Sequence, residues 1–174
     1  MKTIEIRRHA LRNKPNKHIS QEGITIARKV GEGMGHFDVV ISSTLPRSLE
    51  TAIAMGYAVD QRLELIESYG DKIEQQIPWP QPFTAYQEVY NKAGLVWEYM
   101  NELADFYKNL AETLPEDGAA LIISHGGIVE MSAIACLPEA DTSAFGPHLE
   151  CCEGVRLTWE DGSFTKAEVL RISN

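Results

Sequence analysis

The first chemically suggestive residue is His9, which stands with Arg8 at the end of the short alternating stretch Thr3–Arg8. A neutral imidazole is a competent nucleophile near neutral pH. Its attack on phosphorus would give a phosphohistidine that water could then hydrolyse. Taken alone, an Arg-His pair is equally well a surface histidine among basic neighbours. The second feature is Arg47 in SSTLPRSLETA, in the first turn of an expected helix. Free backbone N–H groups and the helix dipole favour an anion there, and a guanidinium adds a fork of donors that matches phosphoryl oxygens. The bland reading is an arginine that solvates a helix start. The third is Ser124-His125-Gly126-Gly127. Its glycines let backbone approach a ligand closely, and His125 could donate to a transferring phosphoryl group; a tight turn with a capping histidine is the alternative. Phosphoryl transfer asks mainly for positioning and charge stabilisation, which two arginines and two histidines can supply. An acid must still protonate the leaving oxygen. The stretch LELIESYGDKIE offers Glu64, Glu67, Asp71 and Glu74, and position alone does not choose among them.

These residues need elements that bring them together. Thr3–Arg8 alternates Ile4 and Ile6 with polar residues, the period of a strand. Ser20 caps an expected helix that carries Ile24, Ala27 and Val30 and fades at Gly31, Gly33 and Gly35. Phe37–Ser42 reads as a second strand. Thr44 and Pro46 read as cap and first turn of a helix with Leu49, Ala52 and Ile53 inward, ending at Gly56. Residues 62–82 are irregular and proline-rich. One long helix is expected over 84–113, with Gly94 as a possible kink. Ala119–Ser124 is the strongest strand signal, followed by a helix from Gly126-Gly127 to near Pro138. Segments 155–159 and 164–170 read as a hairpin turning at Asp161-Gly162. The alternation predicts an α/β fold with a largely parallel sheet. Right-handed crossovers then set the strand-to-helix loops along one edge, where ligands bind in such sheets. Arg8-His9, Ser42–Arg47 and His125–Gly127 occupy three of those loops.

The ordered set resembles the histidine phosphatase superfamily, which includes phosphoglycerate mutases and small phosphatases. The family's Arg-His-Gly appears as Arg8-His9-Ala10, its Ser-Ser-x-x-x-Arg as SSTLPRSLETA, and its late His-Gly as LIISHGG. ISQEGITIARKVGEGM resembles its first helix. The resemblance covers nearly the whole chain. It implies a three-layer α/β/α sandwich around a mostly parallel sheet with a C-terminal hairpin, as one domain over 1–174. In that reading, 68–100 is a candidate lid or substrate-specificity insert. It also implies His9 as nucleophile, and Arg8, Arg47 and His125 around the phosphate. The proton donor would be Glu67 in Leu65-Ile66-Glu67 before Tyr69-Gly70, with Asp71 in reserve. No metal or organic cofactor is implied. Ala10 departs from the family's glycine, which requires a negative backbone angle there. Arg12 stands near where other phosphate-holding residues are usual, and is assigned to the substrate. The leading activity is hydrolysis of a phosphate monoester. The alternatives are mutase-type phosphotransfer, a phosphohistidine-protein phosphatase, and a non-catalytic phospho-ligand-binding module. Classical mutases of the family carry longer inserts, and here only 68–100 could form such an enclosure.

Composition narrows the partners. The 174 residues are 44% hydrophobic and 24% charged, with a net charge of −9, which argues against a nucleic-acid partner. Of the 16 Lys and Arg, eight fall within residues 1–36, which hold only three of the 25 Asp and Glu. A small basic island in an acidic chain suits a small phosphorylated molecule. No apolar run approaches the roughly 20 residues needed to span a bilayer, and MKTIEIRRHA lacks the pattern of a signal peptide. The expectation is a cytoplasmic protein without a membrane partner. Cys136, Cys151 and Cys152 have no disulfide or zinc spacing and read as reduced structural residues. His18 and His36 read as loop and helix-end residues. His148 is a further histidine that a fold could bring toward the pocket, and Trp79, Phe83 and Tyr86 read as lid packing, with the lining of a specificity pocket as the alternative.

Overall fold

Alternation of apolar and polar residues sends successive side chains of a strand to opposite faces. The computed structural model describes residues 1–172, and in it this rule assigns the strands to one sheet between two cores. The strands are β1 (Lys2–Arg8), β2 (Val39–Ser42), β3 (Gln61–Arg62), β4 (Ala119–Ser124), β5 (Gly154–Glu160) and β6 (Ser163–Leu170). Their spatial order is β3-β2-β4-β1-β5-β6. β1, β2 and β3 join β4 in a parallel block, and β5 and β6 complete the sheet antiparallel. The helices are α1 (Gln21–Glu32), α2 (Pro46–Ala54), α3 (Asp71–Glu74), α4 (Phe83–Tyr90), α5 (Leu95–Thr113) and α6 (Ile128–Cys136). The architecture is the expected three-layer sandwich with a C-terminal hairpin. Ile4, Ile6, Ala120 and Ile122 face the larger core with Phe83, Tyr86, Met100, Leu103 and Tyr107. Leu121 and Ile123 face the smaller one with Ala27, Ala52 and Met55. Glu5 and Arg7 alternate with the isoleucines of β1 yet are also buried. Arg7 donates to Glu5 at 2.6 Å and Arg156 donates to its other oxygen at 2.8 Å, so the buried carboxylate is paired.

Four local expectations are corrected. The helix expected over 84–113 is two helices, because Ala93 and Gly94 take φ values of 59° and 104°, which turn the chain out of the helical path. Residue 44 does not cap α2; Leu45 holds the cap position and offers no side-chain bond. Ile53 points outward and is 59% exposed, since the inward stripe of α2 is Ser48, Thr51 and Ala52. The stretch 62–82 is not wholly irregular; it contains a 3-10 turn at Glu64–Ile66 and the one-turn α3. At the hairpin, Asp161 and Gly162 have φ of 50° and 80°, the left-handed pair that a two-residue turn demands.

Register decides where the site lies. Arg8 pairs with Ser124, and Ser42 with Ile123. The next residues continue the pairing: His9 N–H donates to the Ser124 carbonyl at 2.9 Å, and Ser43 N–H to the Ile123 carbonyl at 3.0 Å. The carboxyl ends of β1, β2 and β4 are therefore level, and His9, Ser43 and His125 each stand one residue beyond a strand.

Candidate active site

His9 is 7% exposed, and its Nδ1 lies 2.7 Å from the Ala10 carbonyl oxygen. A carbonyl only accepts, so Nδ1 carries the proton and Nε2 keeps its lone pair. Ala10 is fully buried and donates its N–H to Thr51 Oγ1 at 2.8 Å. Among the described residues it is not one of the four non-glycine positions with positive φ, so the methyl group is accommodated where the resemblance has glycine. The imidazole of His125 lies beside His9, with ring centroids 5.1 Å apart. Its Nε2 meets Ser43 Oγ at 2.7 Å and Ser48 Oγ at 3.2 Å. A hydroxyl donating to Nε2 leaves the ring proton on Nδ1, which is buried without a partner. Burial holds both rings neutral. It pulls His9 from 6.5 to about 3, with the charges of Arg47, Arg8 and Arg12 adding to the effect. It pulls His125 to about 2, helped by His9 and the same arginines.

The arginines complete the floor. Arg8 Nη1 donates to the Leu149 carbonyl at 2.8 Å, and its guanidinium lies over the Trp79 ring, 4.5 Å from the centroid. Arg47 sits behind Pro46 in the first turn of α2, whose cap lacks a side-chain bond. The N–H groups of that turn are thus available to an anion. Arg12 Nη1 donates to the Asn16 carbonyl at 2.9 Å, and the side chain reaches the same cavity, of about 290 Å³. That cavity brings together Arg8, His9, Arg12, Arg47 and His125 under Trp79. Lys14 and Glu74 also line it, so cations outnumber acids. Four of the six buried, unpaired polar atoms among the described residues border it: Arg8 Nε, Arg47 Nε, Trp79 Nε1 and His125 Nδ1. Such orphans are uncommon in native interiors, and donors of one sign around one cavity suit an anion.

Glu67 lies beside this cavity, not on it. It lines an adjoining recess with Arg47, Asp71, Glu74, His125 and Gly126. The recess is anchored by Ile66, which is fully buried and whose carbonyl accepts from Ser124 Oγ at 2.8 Å. Glu74 borders both spaces, and its Oε1 accepts from the Trp79 N–H at 3.2 Å. Gly126 is required by the roof: a Cβ there would stand 2.4 Å from Trp79 Nε1. His18 is paired with Glu50 on the surface, and His36 is exposed. His148 packs nearly perpendicular to the Trp79 ring, with centroids 5.5 Å apart, and does not line the cavity. Ser43, Ser48 and Thr51 all lie within SSTLPRSLETA, quoted for the motif but given no role of their own, and Glu130 was not singled out at all.

Comparison with known proteins follows the same residues. The profile of the histidine phosphatase superfamily (branch 1) matches residues 4–170. The chain belongs to the histidine phosphatase superfamily. No curated protein matches it significantly in sequence. Among solved structures, it is similar to phosphoserine phosphatase from Entamoeba histolytica in complex with 3-phosphoglyceric acid. That match has a TM-score of 0.72 at 15% identity, covering 99% of this chain and 98% of that one. It is also similar to mycobacterial glucosyl-3-phosphoglycerate phosphatase complexed with VO3, with a TM-score of 0.70 at 18% identity and coverage of 98% and 99%. Phosphoglycerate mutase from Bacillus anthracis gives 0.67 at 17% identity, covering 97% and 92%. At these identities the likeness establishes the histidine phosphatase fold. Among the described residues, no helix is long and apolar enough to cross a membrane.

Proposed function

We propose that the protein is a phosphatase that hydrolyses a small phosphate monoester through a phosphohistidine on His9. The observation that carries this reading is the hydrogen bond from His9 Nδ1 to the Ala10 carbonyl, because it leaves Nε2 unprotonated and oriented beside His125 and the arginines. In the first step Nε2 attacks phosphorus and the ester P–O bond breaks. Arg8, Arg47 and the His125 Nδ1–H hold the three equatorial oxygens as charge shifts onto them, and Arg12 holds the substrate from the loop side. Glu67 gives its proton to the leaving alkoxide. In the second step the resulting carboxylate takes a proton from water, whose oxygen attacks the phosphohistidine; the N–P bond breaks, and inorganic phosphate leaves with His9 neutral again. The protein supplies the charge stabilisation from its own side chains, so no metal enters the scheme. Segment 68–100 serves as the lid, with Trp79 as its contact to the floor.

The test is hydrolysis of an aryl phosphate with a chelator present, comparing wild type with His9→Ala. Activity that survives chelation and drops by about 10³-fold or more in the variant is expected. Equal turnover by the two proteins overturns the scheme.

A further inference from the structure

Glu130 has no part in the scheme above, yet it is fully buried. It occupies the third position of α6, directly behind the loop that carries His125. Its Oε2 accepts from the Gly127 N–H at 2.7 Å, as a carboxylate commonly does at a helix start. The reciprocal half of that motif is absent, since Gly127 has no side-chain oxygen. The other oxygen, Oε1, accepts from the Leu149 N–H at 2.9 Å, on a separate loop. Leu149 is itself fully buried, and its carbonyl is the acceptor for Arg8 Nη1 at 2.8 Å. One rigid carboxylate thus joins the Gly126–Gly127 peptide, one unit beyond His125, to Leu149, the residue whose carbonyl seats Arg8. A helix cap alone needs only the first of these bonds.

We propose that Glu130 is a positioning residue that sets Arg8 against His125, and through them the grip on the phosphoryl group; this rests on the phosphatase reading of the cleft. The bridge needs two acceptor oxygens held at a fixed separation. Glutamine has one oxygen, and its amide would set N–H groups against one of the two backbone donors. Burial raises the Glu130 pKa by more than the backbone donors and Arg8 lower it, but both oxygens face backbone N–H donors, an arrangement that suits the ionised carboxylate.

The experiment is calorimetric titration of orthovanadate, a phosphoryl mimic, into wild type, Glu130→Gln, Arg8→Lys and the double variant. We expect Glu130→Gln to raise the dissociation constant about tenfold, the scale of one lost bond to a charged group. In the Arg8→Lys background that factor should shrink to less than about twofold, because the perch no longer holds a fork. Unchanged affinity in Glu130→Gln overturns the inference, as does an undiminished tenfold loss in the Arg8→Lys background. Should the glutamine variant not fold, the wild-type amide protons of Gly127 and Leu149 are followed by NMR. Vanadate is expected to shift both, and no shift in either overturns the inference. Wild type that binds no vanadate removes the phosphatase reading and this inference with it, whereas equal binding by wild type and variant strikes this inference alone.

Discussion

On the floor of the cleft, His9, Ser43 and His125 each follow a strand of one parallel block, and backbone bonds of 2.9–3.0 Å continue that block beneath them. On the rim, Glu67, Glu74 and Trp79 come from a stretch of short turns held by buried isoleucines and scattered side-chain contacts. The Ile66 carbonyl rests on Ser124, the Trp79 amide on Glu74, and the Trp79 ring on Arg8. The floor inherits its precision from the sheet ladder, whose register cannot slip without turning every core side chain outward. The rim has no such ladder, and its position depends on contacts that individual side chains make. In the proposed scheme, chemistry common to all substrates belongs on the first kind of support, and discrimination among leaving groups on the second.

That division can be broken by measurement. The largest expected effect after loss of His9 is Arg47→Ala, a fall of about 10²–10³-fold in kcat/KM. It should be of similar size for aryl and alkyl phosphates, since the phosphoryl group is common to both; a loss confined to one class would move Arg47 to the rim. Next is Glu67→Gln, expected to cost about 10²-fold on an alkyl phosphate and little on a nitrophenyl phosphate, whose leaving group needs no proton. Glu74→Gln, measured in parallel, should not show that selectivity. If it does and Glu67→Gln does not, the acid is Glu74, the carboxylate that borders both spaces.

A smaller effect is expected from Ser43→Ala, which removes the closer hydroxyl at His125 Nε2 and loosens the choice of tautomer. Ser48 remains at 3.2 Å as a partial substitute. A drop of about tenfold in kcat is expected, and an unchanged kcat would mean that Ser48 suffices. The smallest is a flat profile. With His9 held at about 3, kcat/KM on a nitrophenyl phosphate, whose leaving group needs no acid, should stay level from about pH 7 to about pH 5 once corrected for the substrate's own ionisation. A corrected break near 6.5 would show that His9 is solvated. Stability behaves differently. Both histidines have folded pKa values below 6.5, so the unfolded chain binds more protons in that range. Tm should be highest above pH 6.5 and fall as pH drops from 6.5 toward 3.

Much of the floor was legible because local pattern and chemistry coincide there. Period-two strands ending in Arg8-His9 and Ser124-His125, and a proline-led helix start at Arg47, announce their positions through short-range rules. The break between α4 and α5 was half legible: Gly94 signalled a kink, but the left-handed Ala93 beside it did not. Glu67 was singled out by resemblance, not by spacing, because four acids within eleven residues differ only in what they face after folding. Glu130 was not singled out, because a carboxylate in the first turn of a helix carries no signal of which loop its second oxygen will meet.

By itself, the sequence determined the α/β alternation, the strand ends that carry the reactive groups, and the family. Tertiary structure alone decided that β4 lies between β1 and β2, so that His125 meets both His9 and Ser43. It also decided that Trp79 closes over Arg8, and that one buried carboxylate ties two loops together. The reason is physical. Propensity and periodicity act over a few residues, whereas proton placement, desolvation and paired hydrogen bonds depend on groups up to a hundred or more residues apart in sequence.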